Sequence, residues 1–248
     1  MTTKSKLLYE GKAKKILSHE DVEKVIIEFK DDATAFNAHK KAKFTGKGEL
    51  NCSITSNIFE ILKKNQIPTH FLERLGLQSI VAQKIDIIPI EIVLRNIAYG
   101  SLCKQTNIKS GTVLKEPLID YYLKNDSLND PLLTLERIKI LNIISEKEIN
   151  LVNNLTLSIN KILKEFFFKI ELELVDFKLE FGRNLKGEII LGDEFSPDNC
   201  RLWDLKSNNV KIKSLDKDLF RNDLGDLIEA YSEINNRINN FMRFNQEL

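Results

Sequence analysis

Residues 174–204 read LVDFKLEFGRNLKGEIILGDEFSPDNCRLWD and decide the fold. From Val175 to Phe181, apolar and polar side chains alternate strictly, which is typical of a strand with one buried and one polar face. Residues 184–187 supply turn chemistry, and a second apolar run follows at 188–193. The stretch therefore predicts a β-hairpin.

The polar residues of this hairpin favour a site for a metal and a phosphate. A turn between the two runs returns Asp193 to the side of Lys178 and Glu180, so two carboxylates and an ammonium converge. Hard cations such as Mg²⁺ bind carboxylate and phosphate oxygens together. The alternative is an ordinary hairpin with a solvated polar face. A strand break at 196–198, followed by the fork-shaped guanidinium of Arg201, favours the functional interpretation.

Composition narrows the class of protein. The chain has 248 residues, 42% hydrophobic and 29% charged, with a formal net charge of +1. This suits a globular protein of one large domain or two small ones, and no global field draws it to nucleic acid or anionic lipid. Cys52, Cys103 and Cys200 form no CxxC pair, and the first residues lack the apolar core of a signal peptide. We therefore expect a cytoplasmic protein without nucleic-acid or membrane partners.

The N-terminal residues predict a second functional hairpin. Residues 7–15 read as strand, turn and strand, with Gly11 in the turn and lysines around it, among them Lys12 and Lys14. Such a turn can hold phosphates through backbone N–H groups and ammonium charge. The alternative is a surface hairpin with solubilising lysines. The basic segment 39–48 is likewise open between a local anion-attracting loop and a solvated run of charge.

Periodicity and turn residues predict the remaining elements. They are a strand at 25–29, a polar loop at 30–35, a helix at 50–64, a strand at 79–84, an extended crossover at 86–89, a strand at 90–95, a loop with short helical pieces at 117–131, a helix opened by a capping box at 145–148, and a C-terminal helix carrying Leu227 to Phe241.

Arg95 and Ser101, at the end of the strand predicted at 90–95, are candidates for binding a phosphate or carboxylate. Arg95 is equally suited to form an ion pair with Glu91.

Several stretches together resemble the SAICAR synthetase family of purine biosynthesis. The resemblance runs in order over almost the whole chain, and LVDFKLEFG followed by DEFSPDNCRLWD is its most specific part. The matching stretches are YEGKAKK (9–15), FKDDATAFN (29–37), GKGELN (46–51), PIEIVLRN (89–96), GSL (100–102), LKNDSLNDP (123–131), LVDFKLEFG (174–182), GDEFSPDNCRLWD (192–204) and DKDLFR (216–221).

The resemblance implies a fold and a reaction. The fold is α+β and two-lobed, with an N-terminal antiparallel sheet lobe at 1–85, a larger α+β lobe at 86–248, and ATP in the cleft between them. In the reaction, ATP phosphorylates the carboxylate of carboxyaminoimidazole ribonucleotide (CAIR), and the amine of L-aspartate displaces phosphate to give the amide SAICAR. The protein then acts mainly by positioning and charge neutralisation. A homo-oligomer, a dimer in the simplest form, is also implied.

The resemblance assigns roles to individual positions. It implies ATP contacts at Gly11, Lys12, Ala13, Lys14, Val25, Ile87, Glu180 and Asp193. It implies Mg²⁺ ligands at Glu180 and Asp193. It implies substrate contacts at Arg95, Ser101, Lys178, Asp198, Arg201, Lys217 and Arg221. It implies a catalytic set of Lys178, Glu180, Asp193 and Arg201.

The chain departs from the family pattern at three positions. Ala38 stands where glycine is usual, Tyr99 replaces a small residue, and Gln83 occupies a position that can be lysine. None removes a charged group from the implied chemistry. The runner-up function is a small-molecule kinase that uses the same ATP–Mg²⁺ cleft, and the non-enzymatic alternative is a nucleotide-binding regulatory module.

Overall fold

The computed structural model describes residues 5–35, 40–207 and 214–244. It confirms the α+β class, with antiparallel sheets and helices in mixed order. The strands are β1 (Leu7–Glu10), β2 (Lys14–Ser18), β3 (Lys24–Phe29), β4 (Asp32–Ala35), β5 (Lys40–Lys43), β6 (Phe71–Arg74), β7 (Ser79–Gln83), β8 (Asp86–Ile97), β9 (Val113–Leu123), β10 (Leu132–Leu133), β11 (Leu172–Arg183), β12 (Ile189–Leu191) and β13 (Cys200–Asp204). The helices are α1 (Lys47–Lys64), α2 (Ser101–Thr106), α3 (Leu135–Leu141), α4 (Glu146–Lys169), α5 (Asp218–Asn222) and α6 (Leu227–Phe244), with a short 3₁₀ helix at Asp126–Leu128.

The first sheet has five antiparallel strands in the order β1-β2-β3-β7-β6. Every second residue of β3 points into the protein core, namely Val25, Ile27 and Phe29. Helix α1 packs against this face of the sheet. The approach is close at Gly48, where an added Cβ would lie 2.5 Å from the carbonyl oxygen of Phe29. Glycine is therefore required there for α1 to lie against the sheet.

The second sheet has six strands and is built around β11. Five of its strands follow the order β10-β9-β8-β11-β12. The sixth, β13, pairs with β11 along the same edge as β12. Strand β12 pairs with 181–183 of β11, whereas β13 pairs with 172–177. The middle of β11, near residues 178–180, therefore faces the loop that joins β12 to β13.

Two sequence-based predictions of loops are wrong. Residues 32–35 of the expected polar loop form β4, which pairs with β5. Residues 117–123 belong to β9, since Ile119, Tyr121 and Leu123 alternate toward the core despite the turn formers around them. By contrast, the prediction that residues 86–89 are extended is confirmed, since they form the beginning of β8. Pro89 falls where the β8–β11 register shifts, so it needs no ladder hydrogen bond.

The predicted helices are confirmed. The helix expected at 50–64 begins three residues earlier, at Lys47. Ser145 and Glu148 form the capping box of α4, each side chain bonding the other's backbone N–H. The C-terminal helix α6 buries Leu227, Tyr231, Ile234 and Ile238. The sequence pattern predicts none of the short helices α2, α3 and α5. Ala38 lies outside the described residues.

One hydrophobic core joins the two sheets. It extends from Val25 on the first sheet through Phe177 on the second to Ile238 on α6. A division into lobes at residues 85 and 86 therefore remains a prediction, although each large sheet does lie on one side of that point. Among the described residues, no helix combines the length and apolar character needed to cross a bilayer.

Candidate active site

The candidate site forms where the β12–β13 loop passes the middle of β11. The backbone N–H of Lys178 donates to Asn199 O over 2.8 Å, and that of Gly192 donates to Glu180 O over 2.9 Å. Asp193 has φ +57°, a left-handed conformation that aspartate adopts more readily than most residues. These contacts hold the loop against β11 and bring its acidic side chains to the strand.

A compact cluster of charges results. The Lys178 ammonium donates to Glu180 Oε1 and, over 2.9 Å, to Asp193 Oδ2, and it lies 3.5 Å from Glu91. Lys14 of β2 donates to Asp193 Oδ1 and, over 2.9 Å, to Glu194 Oε1. Asp193 therefore returns to Lys178 and Glu180, as the hairpin predicted. The alternative, a hairpin whose polar face is solvated, is wrong at this position, because the Glu180 side chain is only 3% exposed.

The protonation states of this cluster follow from its burial and pairing. Burial opposes the charged form of Lys178, but Asp193, Glu180 and Glu91 outweigh it and raise its pKa well above the usual value. Burial likewise opposes the Asp193 carboxylate, but Lys14 and Lys178 hold its pKa well below the usual value. Lys178 is therefore an ammonium and Asp193 a carboxylate at neutral pH, which suits charge neutralisation and not proton abstraction by Lys178.

A cavity of about 650 Å³ opens beside the cluster and is lined by residues of both large sheets. This volume is within the usual range for a cofactor site. Its walls include residues predicted to bind ATP, a metal or substrate: Gly11, Lys12, Ala13, Lys14, Val25, Ile87, Lys178, Glu180, Asp193, Asp198, Lys217 and Arg221. Within this set, Lys12 is paired across the cavity with Asp126 over 2.6 Å.

The donor set fits a cation that is shared with phosphates. Glu180 and Asp193 contact the same ammonium, so their carboxylates are close enough to share one cation. In the described part of the chain, no group of three or more His, Cys, Asp or Glu side chains is arranged as a metal site by itself. Two carboxylates with phosphate oxygens completing the shell is the pattern that Mg²⁺ adopts in phosphate-transfer sites.

A row of charges crosses three strands next to this cluster. Register places Arg95 of β8 and Arg201 of β13 on either side of Asp176 of β11. Asp176 Oδ2 accepts from Arg201 Nη1 over 2.7 Å and from Arg95 Nη1 over 3.3 Å. Burial nevertheless dominates and raises the pKa of Asp176. The row presents two guanidinium groups that share one buried carboxylate.

The surroundings of Arg95 correct one alternative. Its Nε donates to Asp120 over 2.9 Å, and its Nη2 donates to Ser101 Oγ over 3.0 Å and to Tyr122 Oη over 3.2 Å. The interpretation of Arg95 as the ion-pair partner of Glu91 is wrong, because Glu91 is four residues away along an extended strand and contacts Lys178.

A second cavity, of about 500 Å³, lies over this row. Predicted substrate residues on its walls are Arg95, Ser101, Lys178, Asp198, Arg201 and Arg221. Lys178, Asp198 and Arg221 also line the first cavity, so the two cavities adjoin. Every site residue that the sequence analysis names thus lines at least one of the two cavities. The role of each residue stays a prediction.

Asp198 is held by a buried network at this junction. It accepts from Lys47 Nζ over 2.6 Å, from Asn51 Nδ2 over 3.0 Å and from Tyr231 Oη over 2.8 Å. Burial opposes its ionisation, but Lys217 and Lys47 outweigh burial and lower its pKa. Lys47 is completely buried, so the solvated reading of the basic segment is wrong at this position.

Sequence reasoning missed several lining residues. Lys124 donates to Glu180 Oε2, and Glu194 is buried against Lys14. His70 is 3% exposed, and burial lowers its pKa to about 4, so its ring is neutral. Lys124 lies within the stretch that matched the family, but a lysine in an expected loop carries no signal of its own.

The chain is similar to known proteins over nearly its whole length. A model of the SAICAR synthetase family matches residues 7–238. A phosphoribosylaminoimidazole-succinocarboxamide synthase of Prochlorococcus marinus subsp. pastoris is 69% identical over 242 residues, which is 98% of this chain and 100% of the relative.

Solved structures agree with this similarity. The phosphoribosylaminoimidazole-succinocarboxamide synthase of Ehrlichia chaffeensis has a TM-score of 0.91 and 43% identity, covering 94% of this chain and 98% of its own. A SAICAR synthetase in complex with ADP has a TM-score of 0.88 and 48% identity, covering 93% of this chain and 96% of its own.

Proposed function

The chain belongs to the SAICAR synthetase family, and we infer from this membership that it joins L-aspartate to the carboxylate of CAIR with consumption of ATP. It is an ATP-dependent carbon–nitrogen ligase of purine biosynthesis. The observation that carries this function is the position of Lys178, Glu180 and Asp193 at the junction of two cavities. One cavity suits a nucleotide and the other suits an anionic substrate, so the reacting groups of both can meet there.

We propose the following use of the first cavity. ATP lies against Val25 and Ile87, and its phosphates lie under the turn of Gly11 to Lys14. A relative of the same family has been solved with ADP, which supports nucleotide binding here. Glu180 and Asp193 would hold Mg²⁺ against the phosphates, where the cation neutralises their charge and polarises the γ-phosphoryl group.

The second cavity is proposed to bind CAIR. Arg201, with donors remaining on its two Nη atoms, and Ser101, beside Arg95, are suited to the ribonucleotide phosphate. Lys178 lies next to the substrate carboxylate, where its ammonium offsets the repulsion between that anion and the ATP phosphates. Lys217 and Arg221 extend the positive wall toward the first cavity and are suited to the carboxylates of L-aspartate or to a phosphate.

The chemistry then proceeds in two displacements. A carboxylate oxygen of CAIR attacks the γ-phosphorus, the bond to the bridging oxygen breaks, and ADP leaves with that electron pair. The aspartate amine attacks the resulting acyl carbon, the acyl C–O bond breaks, and phosphate leaves with the former carboxylate oxygen. The nitrogen loses a proton as the amide forms. Binding all three substrates at one junction supplies proximity, and the lysines stabilise the charge that builds on oxygen.

A test by omission of substrates separates this function from its rivals. ADP release is measured with CAIR in the presence and absence of L-aspartate. The ligase requires both substrates for full turnover and yields one SAICAR for each ADP. A kinase would release ADP with no response to aspartate, and a regulatory module would release none; either result would refute the proposal.

We further propose that the enzyme is a cytoplasmic homo-oligomer, a dimer in the simplest case, with its ATP cleft between lobes at 1–85 and 86–248. The lining of the first cavity by both sheets supports the cleft. Light scattering in solution measures the oligomeric state, and a mass of a single chain, 28.6 kDa, would contradict it.

A further inference from the structure

Arg201 is held in its plane by two carboxylates. Its Nε donates to Asp218 Oδ2 over 2.7 Å, and its Nη1 donates to Asp176 Oδ2 over 2.7 Å. Both bonds lie along edges of the guanidinium, so they fix the direction of the group but leave its faces to other contacts. The guanidinium also lines the second cavity.

One face of Arg201 is covered by an aromatic ring. The Arg201 Cζ lies 5.2 Å from the centroid of Tyr99, within the range of a cation–π contact. The ring of Tyr99 packs edge-on against Trp203, with centroids 5.5 Å apart at 82°. Trp203 lies two residues after Arg201 on β13, so the same strand positions both the cation and the support of the ring that covers it.

The backbone beside Tyr99 closes around the same group. Gly100 has φ +62°, and a Cβ added to it would lie 2.9 Å from Arg201 Nη2. The next residue, Ser101, accepts from Arg95 Nη2. Residues 99–101 thus contact both arginines of the second cavity, while Tyr99 itself is absent from the walls of either cavity.

We propose that Tyr99 is a positioning residue that holds the plane of Arg201 toward the anion-binding end of the second cavity and so sets the affinity for CAIR. The proposal rests on the function proposed above. Tyr99 acts through Arg201 and touches no substrate.

The test separates the π face of the ring from its bulk and its hydroxyl. Tyr99→Phe keeps the face and should leave the KM for CAIR within about twofold of wild type. Tyr99→Leu removes the face and should raise that KM roughly three- to thirtyfold, the range that cation–π contacts span. The KM for ATP should stay within about twofold in both variants, because Tyr99 does not line the first cavity.

A series of fluorinated rings at position 99 tests the proposal even if Tyr99→Leu folds poorly. Phenylalanines with one, two and three ring fluorines at position 99 keep the shape while weakening the negative face. Calorimetric affinity for CAIR should then fall in step with fluorine number. A flat series, a Tyr99→Phe defect equal to that of Tyr99→Leu, or an equal rise in the KM for ATP would overturn the proposal. If wild type forms SAICAR and the series is flat, only this inference fails, whereas no SAICAR from wild type would refute the ligase itself.

Discussion

At the scale of single residues, the site consists of buried charges whose states are set by their neighbours. Lys14, Lys178 and Lys124 surround the carboxylates of Glu180 and Asp193 and compensate their negative charge. Isolated carboxylates would be costly to bury, so the lysines make the acidic pair compatible with the fold. Under the proposed function, the same pair would exchange part of this compensation for the Mg²⁺ that is bound with ATP.

The first prediction tests that exchange. Glu180→Gln and Asp193→Asn keep the shape of each side chain and remove its negative charge. Each should reduce the gain in ADP affinity that Mg²⁺ produces, measured by calorimetry, and should lower kcat by about a hundredfold or more, since a Lewis-acid metal supplies several kcal/mol. Glu188→Gln, in the exposed turn of the same hairpin, is the control. Two variants with the Mg²⁺ response of wild type would exclude the proposed metal ligands.

The second prediction concerns Lys12. Its pair with Asp126 is 45% and 68% exposed, and such pairs contribute only about 0–1 kcal/mol to folding. Lys12→Ala should therefore leave the free energy of unfolding within about 1 kcal/mol. It should raise the KM for ATP roughly tenfold or more, on the scale of a charged hydrogen bond of about 1.5–3 kcal/mol.

Lys15→Ala is the matched control for Lys12. Lys15 is the neighbouring lysine of the same hairpin, but it pairs with Glu28 and does not line the cavity. Steady-state kinetics of ADP release, beside urea unfolding, measure both quantities. Equal values of the KM for ATP in the two variants would show that Lys12 only solubilises the turn.

At the scale of elements, strict alternation made β11 predictable and its absence hid β9. In β11 the apolar residues repeat every second position from Val175 to Phe181, and the turn after the strand is unambiguous. In β9, Asp120 and Tyr122 lie close to several turn-forming residues, so the sequence suggests a loop. Only the fold shows that both accept hydrogen bonds from Arg95. The grouping of Lys178, Glu180 and Asp193 was therefore predictable, whereas the partners of Arg95 were not.

The third prediction belongs to α4 and its N-terminus. Arg183 and then the capping box at Ser145 lower the pKa of Glu148 from 4.5 to about 2, against a smaller opposing effect of burial. A lowered pKa in the folded state stabilises above the unfolded value and loses that stabilisation as the pH falls through 4.5 toward 2. Glu148→Gln should cost about 1–2 kcal/mol at pH 7, the scale of a lost helix cap.

The pH dependence makes this prediction specific. The difference in the free energy of unfolding between wild type and Glu148→Gln, measured by urea titration, should stay constant from pH 7 to about pH 5.5 and then narrow as the pH falls to 3.5. Glu146→Gln, in the exposed first turn of the same helix, should show a small difference at every pH. A gap for Glu148→Gln that stays constant with pH would contradict the assignment of the lowered pKa.

At the scale of the whole molecule, the order of the elements was readable but their assembly was not. The family resemblance implies an N-terminal sheet lobe and a larger α+β lobe, and each of the two large sheets takes its strands from one side of residue 85. The sequence does not reveal that one hydrophobic core joins both sheets. Val25 and Ile238 belong to the same core only because α1 packs against both β3 and α6. The sequence also cannot reveal that Lys47 is buried, since a lysine within a basic run looks solvated until Asp198 is brought to it from another element.

Labelling of the CAIR carboxylate with ¹⁸O tests the proposed order of the two displacements. The claim is that the substrate carboxylate is phosphorylated before aspartate attacks, at the junction of the two cavities. CAIR with both carboxylate oxygens as ¹⁸O is converted with ATP and L-aspartate, and the phosphate and SAICAR are examined by mass spectrometry. If the carboxylate is phosphorylated first, each phosphate should carry one ¹⁸O and each new amide carbonyl should carry the other. Phosphate without ¹⁸O, with SAICAR still formed, would contradict this order.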